Sequence, residues 1–136
     1  MSTSIVIIHT DGAARGNPGP AAIGVTIKDE KGTLLARISE RIGSTTNNQA
    51  EYRAVIAGLE KAVKLGAKHV KLYSDSELVV RQILGQYKVK NAGLRPLYSD
   101  VVRLLGKLES FTAASVPRGK NSEADGLANE ALDKKQ

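Results

Sequence analysis

Residues 4–10, Ser-Ile-Val-Ile-Ile-His-Thr, carry four consecutive apolar β-forming residues in one short run. A segment that is apolar at both even and odd positions reads as a strand covered on both faces, and so as the centre of a sheet. The remaining elements are read outward from this strand. The Gly/Pro-rich stretch from Gly12 to Pro20 reads as a turn. Strands over about 22–28 and 33–42 follow, joined by Asp29-Glu30-Lys31-Gly32 as a hairpin turn.

The period then changes from two to 3.6. Thr46 and Gln49 have the spacing of a capping box at a helix start. Tyr52, Val55, Ile56, Leu59, Ala62 and Val63 form its inward stripe, and Gly66 stops it. A fourth strand is expected over 69–73, and Ser76 can cap a short helix through about Leu84. The basic segment Gly85 to Gly93 has no clear period. Pro96 suits the first turn of a helix that turns Leu97, Val101, Leu104, Leu105 and Leu108 inward. A fifth strand spans 111–116, and a last helix starts near Ser122 with Leu127, Ala128, Ala131 and Leu132 apolar.

The order β-β-β-α-β-α-α-β-α puts hairpin-linked strands first and helix-linked strands afterwards. That implies an α/β fold with a mixed five-stranded sheet, three antiparallel strands then two parallel, flanked by helices. A length of 136 residues with 41% hydrophobic composition suits one domain over residues 1–136 with a single core. The apolar runs are too short to span a bilayer, so no membrane partner is expected. The start of the chain lacks a signal peptide's basic and long apolar regions, and a cytoplasmic monomer is the simplest expectation. The absence of cysteine excludes disulfides, thiol nucleophiles and thiolate zinc sites. The net charge of +6 is concentrated between residues 53 and 107, which hold eleven basic and four acidic side chains. A basic middle segment suits a polyanionic partner, although a solvated lysine-rich surface would look the same.

Asp11 closes the central strand as read here, and Asp75 closes the fourth. If those strands are adjacent and parallel, both carboxylates emerge at one edge of the sheet, where open α/β sheets place their ligands. Glu51 lies in the first turn of its helix, bordering the inward stripe, and Asp125 lies in the first turn of the last helix beside Ala124 and Ala128. Each acid alone has an ordinary explanation, because helix N-termini and strand ends favour acids. Four on one rim would repel unless a cation neutralised them. Carboxylates without cysteine or a histidine cluster favour hard ions such as magnesium or manganese.

Thr10-Asp11-Gly12-Ala13-Ala14-Arg15-Gly16-Asn17-Pro18-Gly19-Pro20 resembles the opening motif of type 1 ribonuclease H. Thr46-Asn47-Asn48-Gln49-Ala50-Glu51-Tyr52 resembles its second motif, Tyr73-Ser74-Asp75-Ser76 its third and Asn121-Ser122-Glu123-Ala124-Asp125 its fourth. The four occur in order over nearly the whole chain, in the manner of short archaeal and bacterial forms. The resemblance implies a ribonuclease H-like fold and an endoribonuclease that cuts the RNA strand of RNA–DNA hybrids, leaving 5′-phosphate and 3′-hydroxyl ends. It implies that Asp11, Glu51, Asp75 and Asp125 hold two Mg2+ ions, with Mn2+ as a substitute. One ion would activate a water and the other stabilise the departing 3′ oxygen. It further implies contact of Glu51 with a 2′-hydroxyl, of Gly12, Asn17, Asn47, Asn48 and Gln49 with the hybrid, and of Thr46 with a DNA phosphate. Helix capping is the competing role for Asn47 and Asn48.

Two departures from the family pattern stand out. The loop before the fourth acid, Val116-Pro117-Arg118-Gly119-Lys120-Asn121, lacks the histidine that many members carry. Arg118 is the catalytic candidate in its place, able to grip a phosphate but not to act as a base, with Lys120 second. An ordinary solvated loop charge is the alternative for Arg118. Between Leu84 and Leu97 there is no tryptophan-rich basic helix, which leaves Lys88, Lys90 and Arg95 as a smaller electrostatic grip. The histidine-free loop also makes double-stranded RNA a substrate to test. A hybrid-binding module without activity is the rival reading from outside the enzymes. His9 is expected to be packed or hydrogen-bonded inside its strand, and His69 to open a strand near the surface.

Overall fold

The computed structural model describes residues 4–134. Its strands are β1 (Ile5–Ala14), β2 (Gly19–Lys28), β3 (Leu34–Thr45), β4 (His69–Ser74) and β5 (Ser110–Ser115). The helices are α1 (Asn47–Lys64), α2 (Glu77–Ile83), α3 (Arg95–Leu105) and α4 (Ser122–Asp133), with a 3-10 turn at Arg118–Lys120. The sheet order is β3-β2-β1-β4-β5. The β1–β2 and β2–β3 pairs are antiparallel, and the β1–β4 and β4–β5 pairs are parallel. This is the mixed five-stranded α/β sheet expected from the element order.

Val6 and Ile8 of β1 are fully buried beneath α1, which places β1 at the centre of the core. Ile5, Ile7 and His9 on its other face are only half-buried, because α4, the helix on that side, lies mostly over β2 and covers β1 only in part. Thr46 caps α1 by accepting from the N–H of Gln49 at 3.2 Å. The return half of the capping box is not made: the Gln49 amide oxygen accepts from the Thr45 hydroxyl instead. Gly66, at φ +83°, ends α1 in a Schellman arrangement, with N–H bonds from Gly66 to Val63 and from Ala67 to Ala62. Ser76 caps α2, and the 85–93 segment forms turns without a regular element. Of the inward residues expected on α3, Val101 and Leu104 are buried, while Leu97, Leu105 and Leu108 are half-buried against the core. Among the described residues no helix is long and apolar enough to cross a membrane.

One boundary requires correction. Gly12 to Pro20 is not a turn: β1 continues to Ala14 and β2 begins at Gly19, leaving a four-residue connector. The ladder runs on through Gly12↔Ile23, Ala13↔Ala22 and Ala14↔Ala21. Small residues at these positions hold an extended strand when a partner strand supplies the hydrogen bonds, so composition alone misread them as loop. Asp11 therefore lies within β1 and not at its end.

Two glycines determine how closely the helices approach. A Cβ on Gly12 would overlap the Ala50 backbone of α1, and one on Gly24 would overlap the Ala124 carbonyl of α4. Gly24 pairs with Asp11, the neighbour of Gly12, so the two glycines face opposite sides of the sheet. Helices α1 and α4 therefore press onto opposite faces at the same level of β1, and α4 brings Asp125 of its first turn toward Asp11. Glu51, expected in the first turn of α1, is the fifth residue of that helix and lies just past that turn, because α1 starts only at Asn47.

Candidate active site

The site begins where β4 stops. Strand β4 pairs with β1 only as far as Thr10↔Ser74, and β1 runs four residues further. Backbone groups of β1 on that side lose their ladder partners, and buried polar groups require others. Asn121 Nδ2 donates to the Thr10 carbonyl at 2.8 Å, and the Gly12 N–H donates to Glu51 Oε1 at 2.6 Å. Asp11 lies between these two bonds. Asp75, the first residue beyond β4, shares the face of β1 that carries Asp11, as the stacking of His9 on Tyr73 one step earlier shows.

Oxygens of Asp11, Glu51 and Asp75 all lie within 4.8 Å of one another. Asp11 and Glu51 are 5% and 6% exposed. Burial, followed by the charge of Asp75 and a hydrogen bond and charge from Asp125, pushes the Asp11 carboxyl up to about 8. Burial also pushes Glu51 up to about 8, aided by Asp11 and Asp75 and opposed by the Gly12 N–H. The Arg118 guanidinium draws both values down. Asp75 Oδ2 is buried without a hydrogen-bond partner, and Arg118 Nε at 3.9 Å is too distant to supply one. A cluster of carboxylates with an orphaned buried oxygen and two strongly resisted ionisations fits a divalent cation, which would offset the repulsion and use the free lone pair.

The expected site residues fall into three groups. Asp11, Glu51 and Asp75 converge tightly. Asp125, half-buried in α4, lies near enough to Asp11 to help raise its carboxyl but stands outside the tight triad. Arg118 sits above the acids with its side chain 83% exposed. Gly12, buried, contributes its N–H to Glu51. The remaining residues line an adjoining rim. Asn17 Oδ1 accepts from the Asn47 N–H at 3.0 Å, and Asn47 Oδ1 accepts from the Ala14 N–H at 3.2 Å. The two carbonyl oxygens thus tie the β1–β2 connector to the start of α1. Asn48 is exposed, Thr46 serves as the helix cap, and the half-buried Gln49 amide lies against Gly93.

Two contributors carry no assigned role in the sequence reading. Asn121 is 1% exposed, and Gly24 admits α4 to the sheet. A glycine set between β-branched residues, here Ile23 and Val25, is a signal of close backbone approach and marks Gly24. His9 stacks on Tyr73 with ring centroids 5.1 Å apart, and burial with the charge of Lys28 lowers its pKa. His69 opens β4 and bonds Ser110.

Residues 9–131 match the profile of a family described as reverse transcriptase-like. The bifunctional protein Rv2228c of Mycobacterium tuberculosis is 46% identical over 129 residues, which cover 94% of this chain and 35% of that protein. Ribonuclease HI of Halobacterium salinarum is 44% identical over 125 residues, covering 92% of this chain and 63% of that protein. The chain thus spans about a third of the mycobacterial relative and under two thirds of the halobacterial one. The solved structure of LC11-RNase H1, isolated from compost, in complex with an RNA/DNA hybrid superposes with a TM-score of 0.89 at 47% identity, covering 94% of this chain and 96% of that one. With the fold, the order of its motifs and these relatives in agreement, the chain belongs to the type 1 ribonuclease H family of hydrolases.

Proposed function

We propose that this chain is an endoribonuclease that hydrolyses the RNA strand of RNA–DNA hybrids, working as a cytoplasmic monomer built of one ribonuclease H domain. The observation that carries this reading is the buried triad Asp11, Glu51 and Asp75, which makes little sense as a structural element without a cation. A family relative seen with an RNA/DNA hybrid supports the substrate class.

Asp11, Glu51, Asp75 and Asp125 are the proposed holders of two Mg2+ ions, replaceable by Mn2+. When bound, such ions supply a water acidic enough to attack at neutral pH and offset the charge on the leaving 3′ oxygen. The chain's own residues provide the rest. Gly12 holds one oxygen of Glu51 through its N–H, leaving the second for a ligand or a substrate 2′-hydroxyl. Arg118 offers a guanidinium fork to a phosphate oxygen while lacking any basic lone pair. Asn17 and Asn47 use their carbonyl oxygens internally, which leaves their NH2 groups as donors toward acceptors in the minor groove. Asn48 and Gln49 extend that row, and Thr46 borders the path of the DNA strand. The products are a 5′-phosphate and a 3′-hydroxyl.

The test is cleavage of an end-labelled RNA–DNA hybrid, with double-stranded RNA and DNA controls, in magnesium, manganese or EDTA. Metal-dependent cutting of the hybrid's RNA strand is expected, and Asp75→Asn should bind hybrid while cutting more than about a hundredfold more slowly. Hybrid binding without cutting in either metal would instead identify a silent binding module.

A further inference from the structure

The geometry points to Asn121 as a positioning residue that registers α4, and with it Asp125, against the strand segment carrying Asp11. Asn121 occupies the N-cap position of α4, where an asparagine ordinarily turns its oxygen onto the first free N–H groups of the helix. Here it makes no side-chain cap bond. Its Nδ2 crosses instead to the carbonyl of Thr10, 111 residues away, in a fully buried bond of 2.8 Å. The capping role that asparagine's presence at a helix start would suggest is therefore not the role it fills.

The same residue holds both ends of the connection. Its own carbonyl accepts the Asp125 N–H at 3.0 Å, the first hydrogen bond of α4. One residue thus links the backbone just before Asp11 to the backbone that carries Asp125. Glu51 provides the matching contact on the other side of Asp11, at the Gly12 N–H. Asn121 Oδ1 and Thr10 Oγ1 are both buried without partners, so the contact persists although part of its hydrogen-bonding capacity is unfilled. Surrounding structure must determine such an arrangement, and the close seating of Ala124 on Gly24 does so. Among the described residues the Asn121 side chain hydrogen-bonds only the Thr10 carbonyl, so it acts through Asp11 and Asp125.

This inference rests on the hybrid-cleavage reading for its kinetic part but can be judged separately through metal binding. Asn121→Asp removes the donor and keeps the shape. Asn121→Ser leaves room for a water, retains a residue suited to a helix start, and is the second variant should the first fail to fold. Each would be compared with Asp125→Asn and with the Asn121→Ser/Asp125→Asn double variant. Readouts are Mn2+ binding to the metal-stripped protein by calorimetry, thermal unfolding in EDTA, and kcat and KM on hybrid. Mn2+ affinity should fall about tenfold and kcat by about 10- to 100-fold. KM should stay within about twofold, because the proposed hybrid contacts lie on α1 and the β1–β2 connector. The losses should not multiply in the double variant, since both substitutions disable the same carboxylate. Folded variants that bind Mn2+ like the parent protein, or losses that multiply with Asp125→Asn, would overturn the assignment. A parent that binds Mn2+ yet cuts no hybrid would refute the function, while the Mn2+ comparison would still decide the role of Asn121.

Discussion

The Gly12 N–H and Glu51 Oε1 meet at 2.6 Å across 39 residues of sequence, joining the central strand to the fifth residue of the helix laid over it. The bond exists because β4 has ended and the Gly12 N–H has no strand to donate to. It also requires glycine, since the backbone of Ala50 occupies the space a side chain would need.

Gly12→Ala should therefore act on fold and site together. Backbone cannot yield as a flexible side chain does, so α1 must shift, at a cost of about 1–3 kcal/mol or more. Thermal or urea unfolding would measure the loss, and Mg2+ titration should show weaker binding than in the parent protein. Unchanged stability with unchanged Mg2+ binding would mean that the close approach of α1 to β1 is not needed.

The metal-free protein should lose stability as pH rises from about 4 to about 8. Asp11 and Glu51 are both pushed up to about 8 in the fold, chiefly by burial. Unfolded, they would titrate near 4. Between those values the native state holds more protons than the unfolded state, so stability falls with increasing pH. It is full below about 4 and lost through about 8. Divalent metal should reverse the trend, because it binds the ionised native form. Melting temperatures in EDTA and in Mg2+ across this range provide the check, and a flat EDTA curve would argue against resisted ionisation.

Arg118→Ala should lower kcat by about 10- to 100-fold while leaving the melting temperature nearly unchanged, as expected of a side chain that is 83% exposed. Arg118 draws down the pKa of both Asp11 and Glu51, so its removal should move the acidic limb of the pH–rate profile to higher pH. Arg118→Lys should restore that limb but not the full rate, because an ammonium keeps the charge and loses the planar fork. An unmoved profile in Arg118→Ala would leave Arg118 as an ordinary loop charge.

Much of this architecture was readable from local pattern. The apolar run at residues 5–8, the stripe on α1, the Thr46 and Ser76 caps and the Gly66 stop depend on backbone conformation within a few residues, and such features report on themselves. The Gly/Pro-rich stretch after Asp11 failed the same reading, because the extended conformation of Gly12–Ala14 depends on pairing with β2 and not on its own composition.

By itself the sequence determined the order and type of the elements, and that Asp11 and Asp75 would share one edge of the sheet if their strands proved adjacent and parallel, as they do. Only the tertiary structure decided which acids are desolvated together, that Asp125 stands outside the tight triad, that Asn17 and Asn47 brace one another, and that Asn121 and Glu51 complete the β1 backbone on either side of Asp11. The physical reason is sequence separation. Periodicity and capping are set by neighbours along the chain, whereas burial and the partners of an orphaned backbone group are set by residues 30 to 111 positions away, which meet only when the helices close onto the sheet.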